Sequence, residues 1–180
     1  MKNFYTAEGD DGTTGLLGEE RVQKNHPRVQ AVGAVDEASA ALGLARAQAD
    51  NPDLNQLVKN VQEDLYQIMT LLVLVKPDPE KFPDLQQTQL LWLEEKIEQY
   101  GAAIEPPSGF ILPGESVPSA AFGLARTIVR RAERWVVQLD EDGNLESETI
   151  LPYLNRLSSL CFVLELYTSD PHFPQAGKNS

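Results

Sequence analysis

Ile150-Leu151-Pro152-Tyr153-Leu154-Asn155-Arg156-Leu157-Ser158-Ser159-Leu160-Cys161-Phe162-Val163-Leu164 is the stretch whose reading decides the fold. Ile150, Leu154, Leu157, Cys161 and Leu164 step by four, three, four and three, which lines one face of an α-helix as the seam of a bundle. Working back from it, the chain reads almost wholly as amphipathic helix. A first helix runs from Pro27, tolerated in a first turn, to about Asp50, with Val29, Val32, Val35, Leu42 and Ala45 as its apolar stripe. Asn51-Pro52-Asp53 starts a second, in which Leu54, Leu57, Val58, Val61, Leu65, Ile68 and Leu71 recur at helical spacing. The prolines of Lys76–Pro83 break the pattern. A third helix is expected from an Asp84 cap to Tyr100, with Gly101 as its stop, and a fourth from Ser116 to about Leu139. No segment alternates like a strand for a useful length. The expectation is an all-α, five-helix up-and-down bundle over residues 27–170, a glycine-rich arm over 1–26 and a loose tail over 171–180.

Composition narrows the function classes. In 180 residues, 15 Lys and Arg face 27 Asp and Glu, a net charge of −12 that argues against nucleic-acid binding and against riding an anionic membrane. Cys161 is the single cysteine, so no internal disulfide or cysteine-built zinc site is available. No apolar run reaches a membrane span, and Met1-Lys2-Asn3-Phe4-Tyr5 carries no apolar signal region; a cytoplasmic location is expected.

Four features exceed what bundle packing needs. The arm Thr6-Ala7-Glu8-Gly9-Asp10-Asp11-Gly12-Thr13-Thr14-Gly15 is neither a P-loop nor an EF-hand. Glycines with hydroxyls suit a backbone closing on phosphate oxygens, with Arg21, Lys24 and Arg28 supplying charge, and they suit a flexible tail equally well. Arg126, Arg130, Arg131 and Arg134 crowd the fourth helix, with Glu133 three residues from Arg130 as a counter-charge. A carboxylate on a neighbouring helix or a bound polyphosphate would serve as the remaining partner. Asn155 and Arg156 flank the seam, where a buried asparagine would also serve to fix register. Asp36-Glu37 reads as a solvated face, His26 and His172 as isolated loop residues, and Cys161 as a small core residue.

Together these stretches resemble the PduO-type ATP:cob(I)alamin adenosyltransferases. The resemblance rests on Thr6, Gly9-Asp10, Gly12 and Thr14; Gly18, Arg21-Val22 and Lys24; Gly33-Ala34-Val35-Asp36-Glu37; Phe110-Ile111-Leu112-Pro113-Gly114; Arg126 to Arg134; and Tyr153-Leu154-Asn155-Arg156-Leu157-Ser158, in that order over residues 5–167. It implies a homotrimer with ATP and the corrinoid bound at each subunit interface. It also implies transfer of the 5′-deoxyadenosyl group of ATP to cob(I)alamin with release of triphosphate, Mg²⁺ on the phosphates, and a reductase that supplies the cob(I)alamin. Thr6, Gly9, Asp10, Gly12, Thr14 and Lys24 would enclose the triphosphate; Arg130, Glu133 and Asn155 would position ATP, with Arg131 and Arg156 as further candidates. Asp36 would pair with Arg126 across the interface, and Phe110 would press on the lower face of the corrin. The chain departs from the pattern at Ala7, where a basic residue is expected, and at Glu8, Ala38, Glu115 and Ser159. A paralogue that binds ATP or corrinoid as a carrier or regulatory protein is the alternative.

Overall fold

The computed structural model describes residues 4–18, 21–76 and 78–169, so the expected tail over 171–180 lies outside the described residues. Five helices follow a short two-stranded sheet: β1 (Thr13–Gly15), β2 (Arg21–Gln23), α1 (Pro27–Gln48), α2 (Pro52–Val73), α3 (Gln87–Gly101), α4 (Val117–Glu141) and α5 (Ile150–Tyr167). The strands are a correction to the sequence reading. β1 pairs antiparallel with β2, Thr14 opposite Val22, and three residues per strand are too few for alternation to register.

Side chains cap three of the helices at the N-terminus, satisfying N–H groups that the first turn leaves without intrahelical partners. Asn51 accepts from the N–H groups of Asp53 and Leu54, Ser116 accepts from that of Ser119, and His26, read as an incidental loop residue, accepts from Arg28 through Nδ1. α3 starts two residues later than expected. The Asp84 side chain accepts from the N–H of its neighbour Leu85 (2.8 Å), while Gln86 is the cap and its N–H donates to the returning Gln89 side chain. Leu85 is the reason, because its burial in the core holds the chain extended up to Gln86.

α4 lies between α1 and α5, with α2 against α1 and α3 against α5. The α1 stripe also differs from expectation, running through Ala31, Ala34, Val35, Ala38, Ala41, Leu42 and Ala45, with Val32 at its edge. Facing it, α4 contributes Ala121, Ala125 and Ala132, and side chains this small let two backbones approach closely. Around that contact Phe122, Leu65, Ile68, Leu139, Leu154 and Tyr153 are fully buried. Removing a side chain such as Phe122 would cost about 3–5 kcal/mol. α2 buries Leu72 in place of the expected Leu71, one position further round. Tyr153 donates its hydroxyl to Asp64 (2.7 Å), tying α5 to α2 and answering the polar end of a buried ring.

Candidate functional site

The arm is a built loop. Its glycines serve two separate needs. Gly12 adopts φ +81°, a left-handed conformation glycine takes without strain, and a Cβ on Gly9 would stand 2.9 Å from Lys24 Nζ. That clearance lets Lys24 donate to the Gly9 carbonyl at 2.7 Å. Arg21 braces the loop, donating to the Glu8 carbonyl (2.7 Å) and to Thr13 Oγ1 (2.6 Å). Asp11 accepts from the Thr13 N–H and hydroxyl, which holds its carboxyl below the usual carboxylate range. Thr6 and Asp10 lie exposed on the loop and Thr14 is half-buried in β1. Leu17 anchors the whole arm to the end of α2 through main-chain bonds with Val73 and Val75 (both 3.1 Å). Arg28, expected to add charge to this loop, instead donates to the carbonyls of Leu72 (3.0 Å) and Asn144 (2.8 Å).

The α4 arginines divide by partner. Arg126 pairs with Glu165 of α5 at 3.3 Å, so this chain supplies a partner for it. Arg131 pairs with Glu37 of α1, and Arg134 donates to the Arg130 carbonyl at 3.0 Å. Glu133, expected as the counter-charge of Arg130, is instead engaged by the amide of Asn155 (3.0 Å). Arg130 therefore keeps a guanidinium that makes no hydrogen bond or ion pair with any described residue. It lines an open groove of about 460 Å³ together with Phe110, Ile111, Arg126, Ser158 and Phe162. Phe110 is 73% exposed there, although a ring left in water forfeits the free energy its burial would release.

Beside the groove runs a chain of polar contacts. Glu94 of α3 accepts from Arg156 Nε (3.0 Å), Arg156 donates onward to Asn155 Oδ1 (3.1 Å), and Asn155 Nδ2 reaches Glu133. Asn155 is exposed, so it is not a buried register pin, and its amide is oriented from both ends. Asp36 is exposed on α1 and forms no ion pair among the described residues. Cys161 is buried, which pushes its thiol up to about 12 and leaves it an inert core group.

Within one chain, then, the structure brings together Phe110, Arg126 and Arg130, and separately Glu133, Asn155 and Arg156. Among the described residues no hydrogen bond or ion pair joins the arm to either set. Sequence reasoning missed Glu94 and Glu165. Glu165 left a signal, a carboxylate four residues beyond Cys161 on the buried seam; Glu94 left none, because its partner lies 62 residues away.

The fold is a five-helix bundle in which an arginine that makes no hydrogen bond or ion pair with any described residue and an exposed phenylalanine share one groove, with a braced glycine loop ahead of the first helix. The chain belongs to the cobalamin adenosyltransferase family, whose model matches residues 4–168. It is 39% identical over 172 residues to the corrinoid adenosyltransferase of Mycobacterium tuberculosis, covering 91% of this chain and 87% of that one. It is 38% identical over 163 residues to the corrinoid adenosyltransferase PduO of Citrobacter freundii, covering 89% of this chain but 48% of that protein. A like match to PduO of Salmonella typhimurium covers 51% of it, so the chain spans about half the length of these PduO relatives. A variant PduO-type ATP:corrinoid adenosyltransferase from Lactobacillus reuteri, complexed with cobalamin and ATP, superposes with a TM-score of 0.82 at 34% identity, covering 92% of each chain.

Proposed function

We propose that this protein transfers the 5′-deoxyadenosyl group of ATP to cob(I)alamin, giving adenosylcobalamin and inorganic triphosphate. The observation that carries the reading is Arg130, a guanidinium without a partner among the described residues of a chain of net charge −12, lining a groove together with an exposed aromatic ring. In such a chain an arginine without a carboxylate implies an anion from outside, and a triphosphate is one. The relatives named above and the ATP and cobalamin carried by the Lactobacillus reuteri structure support the same substrates.

In the proposed reaction the cobalt(I) electron pair attacks the 5′-carbon of ATP, the C5′–O bond breaks, and triphosphate leaves with the bonding pair. Charge develops on the leaving group, where Arg130 and the arm's N–H groups and Lys24 would stabilise it from fixed positions. Glu133 and Asn155 would orient the nucleotide, with Arg156 and Arg131 behind them. Phe110 would lie under the corrin and keep a lower ligand off the cobalt, which makes cobalt(II) easier to reduce. Mg²⁺ would enter on the phosphates.

In this reading the protein is a homotrimer in which the arm of one copy completes the groove of the next. Asp36 would reach Arg126 across that interface. In this reading residues 1–26 form the nucleotide arm, 27–170 the bundle and 171–180 a tail outside both. A reductase would supply the cob(I)alamin, and this protein would work in the cytoplasm. No described helix is long and apolar enough to cross a membrane.

An anaerobic spectrophotometric assay with chemically reduced cob(I)alamin, ATP and Mg²⁺ tests the proposal. The cob(I)alamin band should give way to a light-sensitive adenosylcobalamin spectrum, and Arg130→Ala should abolish this while assembly persists. ATP binding by calorimetry with no cobalt–carbon bond formed would refute the transferase and favour a carrier.

A further inference from the structure

Glu165 holds a carboxylate on a side chain wholly withdrawn from solvent. Such a group costs free energy unless its partners answer it. One oxygen, Oε2, accepts from Arg126 Nε at 3.3 Å; the other, Oε1, has no partner among the described residues. Space for the carboxylate comes from Gly123, three residues before Arg126 on α4, where a Cβ would stand 2.7 Å from Oε1. Burial raises the Glu165 carboxyl above the ordinary glutamate range, and Arg126 opposes that shift without cancelling it. An apolar side chain would fill the same space without this penalty, so packing does not account for a glutamate here.

The geometry at Arg126 does account for it. The guanidinium is held along one edge, through Nε, and its carbon sits 5.8 Å from the centre of the Phe162 ring. Of its five N–H donors, the four on the terminal nitrogens have no partner among the described residues, and the side chain lines the groove. We infer that Glu165 is a positioning residue that grips Arg126 by its Nε edge and so presents the terminal edge to a carboxylate of a second copy of this chain, Asp36, at the corrinoid groove. The two carboxylates then use different edges of one guanidinium and do not compete. The inference rests on the proposed transferase reading, in which the groove lies at a subunit interface.

Glu165→Gln keeps an acceptor for Nε and loses the charge; Glu165→Ala loses both. Steady-state kinetics with cob(I)alamin, ATP calorimetry and sedimentation of each variant test the role. The KM for cob(I)alamin should rise about 5-fold in Glu165→Gln and about 30-fold in Glu165→Ala, since charge-assisted bonds are roughly twice as strong as neutral ones. ATP affinity should stay within about twofold of wild type, and Glu165→Ala should add no further loss in an Arg126→Ala background. A wild-type chain that turns over while both variants match it overturns the inference alone. So does a parallel loss of ATP and corrinoid affinity, which would mark a general packing role. A wild-type chain that does not convert cob(I)alamin overturns the functional reading, and this inference with it.

Discussion

Replacing Glu94 with alanine should weaken ATP binding at a distance while leaving the fold nearly untouched. Glu94 ends a three-bond chain of 3.0, 3.1 and 3.0 Å that runs through Arg156 to Asn155 and Glu133. The Glu94 and Arg156 side chains are 38% and 42% exposed, so their ion pair is well solvated and its loss should cost only about 0.2–1 kcal/mol of stability. The larger effect is orientational. Without Glu94, Arg156 is no longer held where it donates to Asn155 Oδ1, and the amide is free to rotate away from the nucleotide. A neutral hydrogen bond contributes about 0.5–1.5 kcal/mol, so the Kd for ATP should rise about 3- to 10-fold. Calorimetry with ATP and Mg²⁺ on Glu94→Ala, Asn155→Ala and the double variant closes a thermodynamic cycle, with thermal unfolding of each as the control. Because Glu94 acts through Asn155, the double variant should lose little more than Asn155→Ala alone. Glu94→Gln, which still accepts from Arg156 Nε, should recover most of the affinity. Effects that add within about 0.3 kcal/mol would mean the chain carries no coupling, and the reasoning would fail.

Glu165 makes stability pH-dependent in a definite direction. Its carboxyl is raised in the folded state, so over a window starting at the ordinary glutamate range the folded chain binds more protons than the unfolded one, and stability falls as pH rises. Glu165→Gln removes that slope: its melting temperature should exceed that of wild type by more at pH 7 than at pH 4, and a constant difference would contradict the assignment. Ala7 stands where a cation is expected and already occupies a left-handed backbone, φ 61°, so a lysine there inherits no new strain. Ala7→Lys should tighten ATP about tenfold by adding a charge-assisted contact, and an unchanged Kd by calorimetry would show that this position does not face the phosphates.

Legibility followed the strength of the local signal. α2 and α5 were readable because large aliphatic side chains repeat at three and four residues, and α4 because Ser116 caps it and Pro118 opens it. The α1 stripe was misplaced toward Val29 and Val32 because alanine, which forms most of the true contact face, hardly differs from a neutral surface residue. β1 and β2 escaped notice because their pairing depends on a partner several residues away, and no period develops in three residues. The site divided in the same way. Arg126, Arg130 and Asn155 drew attention by residue type and spacing and Phe110 only through the family resemblance, whereas Glu94 and Glu165 are ordinary glutamates until the chain folds them against arginines on other helices.

From its residues alone the chain specifies an acidic five-helix bundle and a short set of residues that bundle packing does not use, because helical periodicity, capping and net charge are properties of neighbours along the sequence. Partnership is not such a property. Which arginine keeps a free guanidinium, which glutamate is buried, and which end of an asparagine amide faces which helix depend on side chains brought together from 22 to 62 residues apart. Only the packing of α3, α4 and α5 decided that Arg126 and Arg156 are held in place and that the Arg130 guanidinium makes no hydrogen bond or ion pair with any described residue.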